Sequence, residues 1–230
     1  MQKGQLGKSN FRGSGLGLAW THQILLLAAL FALSVAAQAQ TDKKAGGAPT
    51  EWLSYGGDKA SSKYSPLAQI NSDNFNRLKT AWTWRSADEQ VAKANPHLKT
   101  WVWEATPLMA DGVLYVSTSL SQVAVIDAAT GKTHWIYDPE TSKNGTPSNN
   151  GFVHRGVAYW AGGKDKRVLF GTGDGYLICL NAQTGKPIST FGQQGRIDLT
   201  QGLGRPVNRR LYGVSSPPII CRDVVVMVEG

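Results

Sequence analysis

The sequence contains few of the residues that build metal centres or disulfide frameworks. Its 230 residues include two cysteines, three methionines and four histidines, and the histidines lie far apart. No Cys/His cluster has the spacing of a metal site, so the sequence predicts no zinc site. The two cysteines, Cys179 and Cys221, either pair in an exported protein or serve as two small hydrophobic residues.

Dense runs of Lys or Arg are also missing, although the chain is basic. It has 24 basic and 16 acidic residues, which gives a net charge of +8. Three of the basic residues lie in the first 39 positions, which contain no acid, so the remainder carries 21 − 16 = +5. These charges are scattered along the chain, and we therefore predict no nucleic-acid partner.

No apolar run reaches the length of about 20 residues that a transmembrane helix needs. The apolar stretch 24–36 follows a basic region and precedes a small-x-small cleavage signal at 37–39. This order is typical of a secretory signal peptide, so we assign residues 1–39 to a signal peptide and residues 40–50 to a flexible lead-in. An uncleaved N-terminal anchor, and with it membrane association, is the alternative.

Helical periodicity is nearly absent after residue 50, and short strands predominate. Asp111-Gly112 separates two short runs of strand-forming residues, which predicts a β-hairpin, and Arg222-Asp223 echoes it. Before the first hairpin we predict a short helix over 71–78, a strand over 78–84 and an irregular loop over 85–103.

One strand–turn–strand pattern occurs twice. Residues 123–135 contain an Asp-x-x-Thr-Gly-Lys turn between strand-forming residues, and the pattern returns at 177–186 with Asn181 in place of Asp127. The two turns are 54 residues apart (181 − 127). A fixed period of this size indicates repeated supersecondary units.

A tryptophan follows the same period. Trp82 lies 53 residues before Trp135, and the next position is Ser189, where we expect Phe191 to fill the space. Each unit reads as four short strands, so we predict an all-β fold, a β-propeller with four-stranded antiparallel blades. Because a propeller ring must close, the material for about three and a half blades predicts a truncated part of a larger propeller.

Several motifs in order resemble those of pyrroloquinoline quinone (PQQ)-dependent dehydrogenases, from residue 52 to the end. Residues 125–135 are similar to the tryptophan-docking repeat of that family. The other matching motifs are Trp52-x-x-Tyr55-Gly56, Tyr64-Ser65-Pro66-Leu67, Arg155-Gly156-Val157-Ala158-Tyr159 and Ser215-Ser216-Pro217-Pro218-Ile219. The resemblance implies that residues 51–230 form part of an eight-bladed periplasmic propeller that holds PQQ and calcium. It also implies a sugar or alcohol substrate and a quinone or cytochrome as electron acceptor.

Within that family, the glucose-dehydrogenase type is the most similar. The similarity rests on the spacing around Glu104 and on the run 137–140, Tyr-Asp-Pro-Glu. The methanol-dehydrogenase type carries two adjacent cysteines ahead of the Arg155 position, and this chain has Ser-Asn-Asn at 148–150 instead.

Three residues stand where the family contacts its cofactor, namely Glu104, Arg155 and Ser215. The resemblance implies that Arg155 binds a PQQ carboxylate, a role that suits a planar, permanently charged guanidinium. Ser215 would be a hydroxyl donor and Glu104 would lie near the cofactor rim, although each residue also suits an ordinary surface position. The calcium ligands and the catalytic base are expected beyond Gly230, so we assign no catalytic or metal-binding residue and expect the chain alone to be inactive.

Two other interpretations stay open. The chain is similar in its repeats to non-enzymatic propeller scaffolds of the cell envelope, the outer-membrane assembly factors. The lack of a lipobox cysteine near Ala39 counts against that class. Alternatively the chain is a product that does not fold, because a partial ring leaves two open sheet edges that are prone to aggregate.

Overall fold

The computed structural model describes residues 51–98, 100, 102–147 and 151–228, all within the compact unit Pro49–Gly230. The predicted signal peptide and lead-in lie outside the described residues. No helix in this described part is both long and apolar enough to cross a membrane.

Antiparallel sheets dominate the described residues. Two sheets have four strands each, in sequential order, and a third is a two-stranded hairpin. Blade 1 consists of β1 Leu108–Ala110, β2 Val113–Ser117, β3 Val123–Asp127 and β4 Thr133–Tyr137. Blade 2 consists of β5 Ala158–Gly162, β6 Asp165–Gly171, β7 Tyr176–Asn181 and β8 Arg196–Asp198. The hairpin consists of β9 Ile219–Cys221 and β10 Val224–Val226. The prediction of an all-β propeller with four-stranded antiparallel blades is confirmed.

Two tight turns join the first strands of their sheets, as predicted. Asp111 and Gly112 connect β1 to β2 with φ values of 52° and 76°. Positive φ at both central residues matches the right-handed twist of the flanking strands, which is why Asp-Gly is favoured there. Arg222, with φ of 55°, begins the corresponding turn between β9 and β10.

Neighbouring residues of a strand face two different layers of the molecule. In β3, Val125 packs in the core shared with blade 2, whereas Ile126 packs against Trp82 on the other face. In β7, Ile178 belongs to the core shared with blade 1, and Cys179 lies in the cluster shared with the hairpin. Each four-stranded sheet therefore packs on both faces, as in a stack of blades.

Two tryptophans dock on glycines of the following repeat. A Cβ atom placed on Gly131 would lie 2.7 Å from the Trp82 ring, and one placed on Gly185 would lie 2.6 Å from the Trp135 ring. Both glycines also have positive φ, 73° and 69°. The contact needs a residue without a side chain. The 54-residue period of the sequence therefore reflects a packing contact that is repeated from one unit to the next.

Phe191 lies two residues after Ser189, where the tryptophan series ends. Phe191 packs against the buried cluster that contains Leu169, Leu177 and Cys179, on the side of blade 2 that faces the hairpin. The cysteines do not pair: both are free thiols, Cys179 buried and Cys221 exposed. Of the two alternatives given for the cysteines, Cys179 therefore fits that of a small hydrophobic residue in the core.

The segment before blade 1 is less helical than predicted at its start. Residues 71–78 contain only a 3₁₀ turn, Phe75–Arg77, preceded by Asn74. The Asn74 side chain donates to the Gln69 carbonyl at 2.6 Å and accepts from the Asn71 amide at 2.9 Å. Such local side-chain bonds compete with helix formation.

Two further predictions in this segment were wrong. Residues 78–84 form no strand, because this segment pairs with none of the strands in the described part of the chain. Its contact with blade 1 is made by a side chain, since Trp82 Nε1 donates to the Ala128 carbonyl at 3.1 Å. The predicted loop 85–103 contains helix α1, Asp88–Ala94, with acids in its first turn and Lys93 in its last turn. These charges suit the two ends of the helix dipole.

Candidate functional site

Three chain segments lie side by side just before the first strand of each sheet. The Thr106 amide donates to the Arg155 carbonyl at 3.1 Å, and the Arg155 amide donates to the Ser215 carbonyl at 2.8 Å. These backbone bonds connect blade 1, blade 2 and the hairpin at one end of the stack. The residues that precede β1, β5 and β9 are therefore fixed relative to one another.

All three predicted site residues meet at this place. Arg155 Nε lies 3.0 Å from Glu104 Oε2, and Arg155 Nη1 donates to Ser215 Oγ at 2.6 Å. The Arg155 and Glu104 side chains are each 42% exposed. The structure thus brings the three residues together, while their contact with a cofactor stays a prediction.

The arrangement leaves donors available for an anionic ligand. A guanidinium has five N–H groups in a fixed fork, and Glu104 and Ser215 engage only part of the fork on Arg155. The Ser215 hydroxyl accepts from Arg155, so its own proton remains free to be donated. A half-exposed cation beside a hydroxyl donor suits a carboxylate-bearing ligand, such as PQQ.

The β2–β3 turn supports the segment that carries Glu104. Ser119 Oγ donates to the Val102 carbonyl at 3.2 Å, and Trp103 Nε1 donates to the Ser117 carbonyl at 2.8 Å. Both bonds act on the residues immediately before Glu104. The position of that carboxylate therefore depends on the turn.

The turn is held in its place by a buried acid that the sequence analysis missed. Asp88 accepts from Thr118 Oγ1 at 2.6 Å and from the Leu120 amide at 3.2 Å. Burial raises the pKa of this carboxyl, against the effect of its hydrogen bonds. The available signal was an acid following Ser86 at the start of a helical segment, which predicts a helix N-terminus but not its tertiary partner.

His154 lies beneath Arg155 and is fully buried. Its Nε2 is 2.8 Å from the Gly171 carbonyl and its Nδ1 accepts from the Gly156 amide at 3.3 Å. Desolvation lowers the pKa of the imidazole to about 4, so the ring is neutral near pH 7. It also contacts the Phe170 ring edge to face, so the imidazole packs in the interior of blade 2.

Metal ligands are not assembled here. Among the residues that the structure describes, no group of three or more His, Cys, Asp or Glu side chains is placed to hold a metal ion. The candidate site has one carboxylate, Glu104, and it is paired with the Arg155 guanidinium, so these residues do not fit a calcium ion. The ligands predicted beyond Gly230 stay a prediction.

A cavity of about 340 Å³ lies elsewhere, between blade 2 and the hairpin. Its lining is mainly apolar and includes Trp160, Phe191 and Ile220. Burial raises the pKa of the Cys179 thiol in its wall to about 11, so this cysteine is not a reactive thiolate. The cavity contains none of the candidate site residues and is a gap between sheets.

Comparisons with known proteins agree with this arrangement. A sequence profile described as "PQQ: Glucose/ethanol/alcohol dehydrogenase, beta-propeller domain" matches residues 52–230. The alcohol dehydrogenase (quinone), dehydrogenase subunit, of Gluconobacter oxydans is 36% identical over 206 residues, which is 87% of this chain and 24% of that protein. The quinoprotein glucose dehydrogenase of Escherichia coli is 32% identical over 194 residues, which is 78% of this chain and 23% of that protein.

A solved structure shares the fold. The quinohemoprotein alcohol dehydrogenase from Comamonas testosteroni superposes with a TM-score of 0.64 at 31% identity, over 80% of this chain and 24% of that one. The chain thus spans about a quarter of the length of the relatives that it matches.

Proposed function

This chain belongs to the family of PQQ-dependent glucose, ethanol and alcohol dehydrogenases, and on that premise we propose that it supplies part of the cofactor-binding propeller of an enzyme that oxidises an alcohol or sugar hydroxyl group. The observation that carries the proposal is the contact of Arg155 with both Glu104 and Ser215. The same three residues were predicted independently of the structure, from the motifs of the sequence.

In this proposal Arg155 and Ser215 bind one carboxylate of PQQ. The guanidinium neutralises its charge and the hydroxyl proton of Ser215 is donated to it. Glu104 holds Nε, so that the free side of the guanidinium fork faces the ligand. When bound, PQQ supplies an ortho-quinone that accepts the electrons released by the hydroxyl-bearing carbon. The role of this chain is therefore to bind and orient the cofactor.

The wider properties of the enzyme are proposals on the same basis. The substrate is a sugar or an alcohol, as in the names of the relatives, and a quinone or a cytochrome accepts the electrons. The protein acts in the periplasm after export by the signal peptide at 1–39, and calcium is bound by residues outside the described part.

Binding of PQQ to the purified chain tests the proposal. Quenching of tryptophan fluorescence gives the affinity of the wild type, of Arg155→Ala and of Arg205→Ala, an exposed arginine outside the site. We expect Arg155→Ala to weaken binding about 30-fold, because a hydrogen bond to a charged group contributes roughly 2 kcal/mol, and Arg205→Ala to bind as the wild type does. Equal affinity of all three proteins would favour the non-enzymatic scaffold.

A second measurement addresses turnover. We propose that the chain alone does not oxidise substrate. The test is dye reduction by the purified chain with PQQ, calcium and either glucose or ethanol. No reduction is expected, while reduction with either substrate would show that this quarter of the family length carries its own catalytic base.

A further inference from the structure

We infer that His154 is a positioning residue, which fixes Arg155 for the carboxylate; the inference rests on the proposed function. His154 is fully buried, whereas the Arg155 side chain is 42% exposed. The half-exposed guanidinium is held by Glu104 and Ser215, and whether it reaches both of them depends on the backbone from which it projects. His154 acts on that backbone.

The tautomer of His154 follows from its two partners. The Gly156 amide can only donate, so Nδ1 of the ring must be the acceptor. The ring proton therefore resides on Nε2, which donates to the Gly171 carbonyl at the end of β6. One neutral imidazole thus connects the residue after Arg155 to β6, one of the two central strands of blade 2.

The connection matters because Arg155 lies between two neighbouring segments. Its amide donates to the Ser215 carbonyl, and its carbonyl accepts from the Thr106 amide. Gly156 has φ of 146°, and a Cβ atom there would lie 3.4 Å from the Thr106 carbonyl, so the segments pass close together. A shift of Gly156 would move Arg155 relative to Glu104 and weaken both side-chain contacts at once.

Three substitutions separate the two bonds of the imidazole. His154→Leu removes both bonds and keeps an apolar side chain in the core. In His154→Asn the side-chain oxygen takes the place of Nδ1 and keeps the bond to Gly156. In His154→Gln the amide nitrogen takes the place of Nε2 and keeps the bond to Gly171. Val168→Ala, which is fully buried in β6, is the control for a general loss of stability.

The affinity for PQQ gives the first readout. We expect roughly tenfold weaker binding for His154→Leu, which corresponds to about 1.4 kcal/mol and to the upper end of what one hydrogen bond contributes. For His154→Asn we expect recovery to within about threefold of the wild type. Recovery in His154→Asn but not in His154→Gln identifies Gly156 as the point of action. Equal affinity of wild type and His154→Leu, an equal loss in Val168→Ala, or no recovery in His154→Asn would each overturn the inference.

A second readout does not require PQQ. Because Glu104 Oε2 lies 3.0 Å from Arg155 Nε, we expect the Nε–H proton of the unliganded chain to be protected from hydrogen exchange, and NMR measures that protection. It is expected to survive in His154→Asn and Val168→Ala and to fall in His154→Leu. If the wild type fails to bind PQQ, the proposed function is wrong, and this readout still decides the positioning role: unchanged protection in His154→Leu overturns it.

Discussion

Blade 1 and blade 2 contain the same turn with different chemistry. In blade 1, Asp127 Oδ1 accepts from the Thr130 amide and hydroxyl, both at 2.7 Å. In blade 2, Asn181 Oδ1 accepts from the Thr184 amide at 2.9 Å and hydroxyl at 3.1 Å. The hydrogen-bond pattern is retained without the charge, so it is the acceptor oxygen, and not the carboxylate, that the turn requires.

The tryptophans that dock on these turns differ as well. Trp82 Nε1 donates to the Ala128 carbonyl at 3.1 Å, whereas Trp135 Nε1 is buried without a hydrogen-bond partner in the described residues. Both rings nevertheless lie against a glycine. Packing of the ring on a glycine is thus common to both tryptophans, whereas the hydrogen bond of the indole is made only by Trp82.

The blades also differ in the strand that follows the turn. In blade 1, β4 begins at Thr133 and pairs with β3. In blade 2, the equivalent position is Pro187, which has no amide hydrogen and makes only an isolated bridge to Leu180. The fourth strand, β8, is formed later, at Arg196–Asp198. The displaced outer strand of blade 2 thus coincides with a proline at the position where β4 begins in blade 1.

The largest expected effect on stability comes from placing a side chain on the glycines against which the tryptophan rings pack. Gly131→Ala and Gly185→Ala should each lower the free energy of unfolding by about 3 kcal/mol, through strain at positive φ and overlap with an indole. Gly112→Ala, which has similar φ and nothing within 4 Å of the added Cβ, should cost only about 1 kcal/mol from strain. Urea unfolding measures all three. Equal losses would show that backbone strain, and not ring packing, explains both glycines.

An intermediate effect distinguishes the two indoles. Trp82→Phe removes ring area and a hydrogen bond, whereas Trp135→Phe removes ring area and an unpaired buried N–H group. We expect Trp82→Phe to lower the free energy of unfolding by about 1 kcal/mol more than Trp135→Phe does. The same urea experiment compares them, and a larger loss for Trp135→Phe would mean that its Nε1 has a partner in solution.

The smallest effect concerns the charge of the turn. The hydroxyl and amide of Thr130 lower the pKa of Asp127, with a minor contribution from His134. A lowered pKa in the folded state stabilises the protein above the ordinary pKa of the carboxyl, and this contribution is lost as the pH falls through the folded value. Asp127→Asn should therefore reduce the drop in Tm between pH 7 and pH 3, and Asn181→Asp should increase it. Opposite signs in this thermal comparison would contradict the equivalence of the turns.

Local patterns predicted the parts of the fold that local chemistry determines. The Asp111-Gly112 hairpin and the repeated Asp/Asn-x-x-Thr-Gly-Lys turn depend on φ and on bonds within a few residues. The segment before blade 1 was predicted less well, because its conformation depends on partners far along the chain. Trp82 contacts a residue 46 positions later, and no local propensity reports such a contact.

The residues of the candidate site were likewise predicted where a sequence motif contains them and missed where their partners are distant in the chain. Glu104, Arg155 and Ser215 were predicted from the family motifs that contain them. Asp88 was missed because its partners, Thr118 and Leu120, are about 30 residues away. The role of His154 was not predicted, because its bond to Gly171 becomes visible only when that strand end is placed beside it.

The docking of each tryptophan on a later glycine has a consequence during synthesis. Trp82 leaves the ribosome 49 residues before Gly131, and Trp135 leaves it 50 residues before Gly185. At bacterial and eukaryotic elongation rates of about 5–20 residues per second, each indole waits roughly 2.5–10 s for its glycine. For that interval each indole lacks the glycine on which it packs in the folded protein, so each repeat exposes apolar surface until the next one is translated.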